Sequence, residues 1–314
     1  MAGAAREPDA PPETRRAWIF LAWSFGIGWG LALLLRTALG PAPVVTDGEV
    51  APAAQSLRGA YAVLGLLMLL LPAIVTIALS RRECVPLSRY GLPGRAPGAA
   101  LWLAPLIALG LAALAALLPV ATRIGRIDAT GTGEVQRLGA EGRFVEALEL
   151  KLDLEAQRAP LLRRVASGLL LGVTLGLLLA LGTEVGWRGL LLTELGHLGP
   201  AWSGLVCGLI AAAWWAPMVS ITASAGETDW SGAVLRLTAY ALLGIVLAWA
   251  RAATGSVLTP AALVSTWATL GGVPALAISG GTHLQLEVSR LASVAIVAAA
   301  LLTIGARGGR NPRS

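Results

Sequence analysis

The chain has 314 residues, of which 56% are hydrophobic and only 13% charged, and its mean hydropathy is +0.72. Soluble domains carry about a quarter charged residues. This chain has too little polar surface to cover a water-exposed globule, and an all-α integral membrane protein is expected. Lys and Arg outnumber Asp and Glu by 24 to 18, but the arginines fall in short segments between apolar runs, which argues against nucleic acid as a partner and for membrane topology.

A spanning helix needs about 20 mostly apolar residues. Eight stretches approach that length, at 17–39, 58–80, 98–122, 165–187, 201–223, 231–251, 256–276 and 287–306. They predict a bundle of about eight transmembrane helices in one membrane domain, 17–306. Residues 1–16 read as a disordered cytoplasmic terminus and 307–314 as a cytoplasmic tail. The first stretch is too long and too late for a signal peptide, so it reads as a retained helix. Polar residues interrupt the fourth and seventh stretches. Between the third and fourth lies a charged segment, 123–164, in which "EALELKLDLE" alternates leucines with charges at a strand period but consists of strong helix formers. An amphipathic helix on the outer membrane surface is expected there.

Arginines are retained on the cytoplasmic side of short loops. Arg6, Arg15 and Arg16, then Arg81, Arg82, Arg89 and Arg95, then Arg307, Arg310 and Arg313 fall on one side if there are eight spans. The loops "ASAGETDW" and "AISGGTHLQ", on the other side, contain no Lys or Arg. The expectation is a multi-pass protein of the plasma (inner) membrane with both termini cytoplasmic and the lipid bilayer as its surroundings. Cys84 and Cys207 fall at different depths and read as free thiols.

The fourth stretch ends in "GTEVGWRGLLLTEL", residues 182–195. A carboxylate at bilayer depth costs about 2.5–3.5 kcal/mol on insertion scales, which makes Glu184 and Arg188 a functional hypothesis. Their i,i+4 spacing also lets them meet on one helix face as a structural ion pair, and Gly182 and Gly186 form a small-xxx-small packing pair. On these residues alone the structural reading ranks first.

The order and surroundings of these residues resemble the CPBP family, which comprises CAAX prenyl endopeptidases and bacteriocin-processing or Abi-type proteins that are intramembrane glutamic proteases. The family's first motif is a pair of adjacent glutamates followed by Ile-Gly-Trp-Arg-Gly; here Thr183, Glu184, Val185, Gly186, Trp187, Arg188 and Gly189 fill that frame. The second motif centres on a histidine, often followed by Leu-Pro, and Trp215 stands at its position before Ala216 and Pro217. The third is a histidine with an asparagine or aspartate four residues on. "GSVLTPAALVSTWAT" matches its approach and puts Ser265 and Thr269 at the two polar positions. The resemblance covers residues 165–275 and implies a CPBP-like core.

It also implies which positions would act. In the family the first glutamate and the second-motif histidine activate a water, and the third-motif pair stabilises the oxyanion. Something must accept the water's proton and donors must meet the developing negative charge. Here those positions are Thr183, Trp215, Ser265 and Thr269, and none supplies a base at neutral pH. Glu184 is the remaining carboxylate, rotated by about 100° from its helical neighbour and so expected to point elsewhere. Trp215, with Trp267, is expected to fill volume that active relatives leave open, with ordinary core packing as the alternative.

Other chemistries find no support. His197 and His283 are expected on opposite sides of the bilayer, no His-Glu-x-x-His or Gly-x-Ser-x-Gly occurs, and no aspartate falls in a span. No metal and no cofactor is expected. The expected function is that of a pseudoprotease binding a peptide or membrane-protein partner. The alternatives are an active endopeptidase with an atypical site using Glu184 and the hydroxyls of Ser265 and Thr269, with Glu184 and Arg188 as the residual catalytic candidates, and a small-molecule carrier reusing a polar cavity.

Overall fold

The computed structural model describes residues 14–39, 52–92, 98–224 and 230–308. The N-terminal residues 1–13, Arg95, most of the 223–230 loop and the tail from 309 onward lie outside the described residues.

Runs of Leu, Ala, Ile and Gly with few charges form long helices because a bilayer leaves the backbone no partner but itself. They are α1 (Thr14–Leu39), α2 (Pro52–Arg82), α3 (Gly98–Ala121), α9 (Pro200–Ser224), α10 (Trp230–Thr254) and α13 (His283–Gly308). A seventh crossing helix, Leu175–Glu194, is composite: α7 (Leu175–Glu184) runs into a π-helical turn, Val185–Leu191, and a last turn, α8 (Leu192–Glu194). Among the described residues, seven helices are long and apolar enough to cross a membrane.

The expected seventh stretch, 256–276, is built differently. It forms α11 (Leu258–Thr269), a turn at 270–272, and α12 (Val273–Ala277). Every residue from Thr259 to Thr266 is buried, with α3, α6, α7 and α10 packed around the helix. A helix enclosed by protein is released from the length rule that hydrocarbon imposes, and a broken backbone is tolerated there. The segment still traverses the same layer as α3. At one end the Val257 amide donates to the Gly91 carbonyl (3.5 Å), and at the other Ile278 pairs with Ile127, just past the far end of α3.

The expected fourth span, 165–187, is displaced towards the C-terminus. Its first part belongs to α6 (Pro160–Val173), which stops at Thr174 (φ −115°, ψ −104°), and the crossing helix begins only at Leu175. The segment before it is a small cap rather than one surface helix. β1 (Arg126–Ile127) pairs antiparallel with β2 (Ile278–Ser279), followed by α4 (Thr132–Ala140) and α5 (Phe144–Glu155). In "EALELKLDLE" the helix formers prevail over the strand period. Phe144, Val145, Leu148 and Leu152 of α5 are left exposed on one side.

These connections define two faces. The N-terminal end of α1, the C-terminal end of α2, the 3-10 turn Leu87–Tyr90 and Glu194 share one, where Arg16 meets Glu83 and Glu194. The β1–β2 pair, α4, α5 and the start of α13 share the other. The core lies in two halves. One joins α1, α2, the π-helical turn and α9 around Phe20, Trp187 and Trp214; the second joins α3, α7, α10, α11 and α13 around Leu243, Leu247 and Leu263.

Candidate functional site

The frame at residues 183–189 sits where α7 and its π-helical turn pack closely on α2 and α1. A Cβ on Gly182 would strike the Leu69 backbone, and one on Gly186 would stand 2.5 Å from Pro72 Cβ and 2.9 Å from the Phe20 ring. These glycines let α7 and its π-helical turn rest on α2 and α1, the close approach expected of a small-xxx-small pair.

Within that turn Arg188 Nη1 donates to Glu184 Oε1 at 2.8 Å, and both side chains are fully buried. Arg188 Cζ also lies 5.9 Å from the centroid of the Tyr240 ring, a cation–π contact from α10. The Cys207 thiol of α9 donates to the Trp187 carbonyl at 3.0 Å. Among the described residues Glu184 Oε2, Arg188 Nε and Nη2, and Trp187 Nε1 have no hydrogen-bond partner. Glu184 and Thr183 are both buried, and the widened turn seats the Glu184 carboxylate against Arg188.

The remaining motif residues face a different helix. Ser265 Oγ donates to the Gly172 carbonyl at 2.6 Å and Thr269 Oγ1 to the Gly168 carbonyl at 2.7 Å. Because α6 stops at Val173, Gly172 is among its last carbonyls, which lack a partner inside the helix. The Ser265 hydroxyl supplies one. The Thr183 hydroxyl donates to the Ala180 carbonyl of its own helix at 2.9 Å. Among the described residues no hydrogen bond links Glu184 or Arg188 with Ser265 or Thr269.

Trp215 is only partly buried, at the edge of the first core half, and Trp267 stacks on Tyr240 with centroids 6.4 Å apart. The deeply packed tryptophans are Trp187 and Trp214, 5.8 Å apart edge to face, joined by Phe20 and Phe25. Trp214 Nε1 donates to the Met68 carbonyl at 3.3 Å. Sequence reasoning missed Tyr240 and the glycine row that runs from α6 into α7, and it gave Trp214 and Cys207 no part in the packing of the motif frame. The row carried a signal: Gly168, Gly172 and Gly176 recur at i, i+4, i+8, the face that meets α11.

Two polar clusters lie outside the membrane core. On the Arg16 face, Glu194 is fully buried, with Arg16 Nη1 and Arg89 Nη2 each 3.7 Å from its carboxylate. On the opposite face Asp128 accepts from the Thr130, Gly131 and Gly133 amides and from the Thr130 and Thr132 hydroxyls, capping α4. Burial pushes the Asp128 carboxyl up, but these hydrogen bonds outweigh it and hold it below the usual carboxylate range. Arg137 of α4 donates to the carbonyls of Ala275, Ile278 and Gly280 and pairs with Glu134. His283 places Nε2 2.9 Å from Glu134 and Nδ1 2.7 Å from Glu141. Glu134 is likewise pushed up by burial and pulled further down by its hydrogen bonds with His283 and Arg137. His197 sits in the 3-10 turn Gly196–Leu198, beside Glu194 and so on the Arg16 face. Among the described residues no group of three metal-ligating side chains forms.

Residues 165–270 match the family model described as type II CAAX prenyl endopeptidase Rce1-like. No curated protein matches the chain. The matched segment runs from α6 to α11 and contains Thr183, Glu184, Arg188, Trp215, Ser265 and Thr269. Over that segment, the motif-bearing part of a multi-pass helical membrane protein, the chain is similar to the Rce1-like CAAX prenyl endopeptidases.

Proposed function

We propose that the protein is a non-cleaving member of this family, a pseudoprotease that binds a peptide or a membrane-protein partner through the family core. It lies in the plasma membrane with both ends in the cytoplasm, in one membrane domain whose polar cap is outside. The observation that carries this reading is the state of the hydroxyls. Ser265 and Thr269, the residues at the oxyanion positions, are already engaged with carbonyls of α6. Thr183, at the position of the base, is bonded to its own helix and has no basic atom. Water activation needs an acceptor for a proton, and oxyanion stabilisation needs donors left free to meet the charge.

A second reading is favoured by one detail: among the described residues Glu184 Oε2 has no partner. A carboxylate oxygen in that condition can accept a proton from water, so an endopeptidase running on Glu184 beside Arg188 is the competitor. Full-length protein in detergent, incubated with a library of prenylated and unprenylated peptides and followed by mass spectrometry, separates the two. No cleavage by the wild type is expected. Cleavage that disappears in Glu184→Gln overturns the pseudoprotease reading.

A further inference from the structure

A groove of about 450 Å³ opens on the β1–β2 face between α5 and α6. α6 lines it with Pro160, Arg163, Arg164 and Ser167, and α5 with Leu150 and Leu154. The α6 residues are spaced i, i+3, i+4, i+7, so they form one polar stripe of an amphipathic helix.

Arg163 and Arg164 are both exposed, and among the described residues neither guanidinium has a hydrogen-bond or ion-pair partner. Arg164 is laid across the turn between α11 and α12: a Cβ on Gly272 would stand 3.2 Å from its Nη2. Two carboxylates also border the groove. Glu134 is held by Arg137 and His283, which leaves Asp153 against two guanidiniums. The groove therefore favours an anion, and a planar guanidinium fork suits the oxygens of a phosphate.

The apolar surface around it narrows the choice. Beyond the groove, Leu170, Leu171, Leu175 and Leu178 continue exposed down α6 and α7, and α5 turns Phe144, Leu148 and Leu152 outward. A soluble anion would use only the guanidiniums, whereas an amphiphile uses both surfaces. We infer that this groove holds the phosphate of an anionic membrane phospholipid, with its acyl chains along the leucines of α6 and α7.

Thermal unfolding of the full chain in detergent, titrated in parallel with phosphatidylglycerol, phosphatidylcholine and inorganic phosphate, tests the site. Phosphatidylglycerol is expected to raise Tm saturably and more than phosphatidylcholine. In Arg163→Gln/Arg164→Gln the lipid-free Tm should stay put, because both side chains are exposed and unpaired, while half-saturation by phosphatidylglycerol weakens by about tenfold or more. Arg81→Gln/Arg82→Gln, on the opposite face, should respond as the wild type does. An undiminished response in Arg163→Gln/Arg164→Gln overturns the site, and so does an equal response to inorganic phosphate. Native mass spectrometry of wild-type protein released from mixed phosphatidylglycerol–phosphatidylcholine nanodiscs is an independent check. Retained phosphatidylglycerol supports the assignment; no retained lipid, or equal retention of both, defeats it.

Discussion

The Ser265 hydroxyl donates to the Gly172 carbonyl at 2.6 Å, tying α11 to the broken end of α6. Ser265→Ala leaves that carbonyl buried without its partner and should cost about 1–2 kcal/mol. Gly172→Ala should cost more, because its Cβ would stand 2.6 Å from the Thr266 Cα and only backbone movement relieves that. Thermal unfolding in detergent should rank them wild type, Ser265→Ala, Gly172→Ala. The same crowding bears on reactivation: Ser265→His, restoring the family's residue, should destabilise rather than confer turnover.

Glu184 and Arg188 are fully buried and bonded to each other at 2.8 Å. Removing one partner leaves an unpaired charge in the core and should cost about 3–5 kcal/mol, whereas replacing both by apolar residues of similar volume should cost much less than the sum. A double-mutant cycle on Glu184→Leu and Arg188→Met, read by unfolding, should give a large favourable coupling. Additive losses would mean that the pair acts separately.

Trp214 lies against Gly28 of α1 so closely that a Cβ on that glycine meets the indole ring. Gly28→Ala should therefore destabilise by about 1–3 kcal/mol, the usual cost of overpacking. Because the obstruction is the far side of a bicyclic ring, Trp214→Phe should make room, and the double variant should be less damaged than the two single losses predict. Chemical unfolding followed by fluorescence of the other tryptophans measures this.

The cap on the β1–β2 face should open in acid. Asp128 and Glu134 are both held below ordinary carboxylate values, Asp128 by its capping hydrogen bonds and Glu134 by His283 and Arg137. A depressed folded-state pKa contributes stability that is complete above the unfolded value, about 4, and is lost as pH falls through the folded values. Hydrogen exchange of residues 128–140, corrected for the chemical pH dependence, should show protection that falls in acid below that range and also weakens on the alkaline side, as pH rises through the raised pKa of His283, which Glu134 and Glu141 hold up. Asp128→Asn should lower protection already at pH 7 and flatten the acid response.

Cys84 is exposed on the Arg16 face and Cys207 is buried behind Trp187. A maleimide should label Cys84 in the folded protein and reach Cys207 only after unfolding. The proposed topology, with both termini in the cytoplasm, predicts that a membrane-impermeant maleimide labels Cys84 in inverted vesicles and not in intact cells. The reverse pattern would invert the topology.

The long helices were legible because each is an apolar run facing lipid, as with the Gly59–Arg82 part of α2 and α13 from His283. α11 was not, because enclosure by protein and enclosure by lipid demand the same apolar residues. Its twelve residues looked like part of a longer run. The break before Leu175 sits at a threonine, and the flanking Gly172 and Gly176 read as a packing row rather than as a helix end. The family frame could be read from Gly186 to Gly189, yet the bonding of Ser265 and Thr269 could not. Their partners are backbone carbonyls 93 and 101 residues away, and every residue in a sequence has one. Asp128 followed by Thr130, Gly131 and Thr132 was a helix-start signal in plain view, hidden only by attention to the leucines beyond it.

The seven-residue π-helical turn from Val185 to Leu191 works as a spacer. The same seven residues wound as ordinary α-helix would rotate everything after them by roughly 100°. Glu194 would then swing out from between Arg16 and Arg89, and the end of the crossing helix would lose its anchor to α1 and to the turn before α3. The widened winding of this turn sets how the motif helix is docked at the Arg16 face.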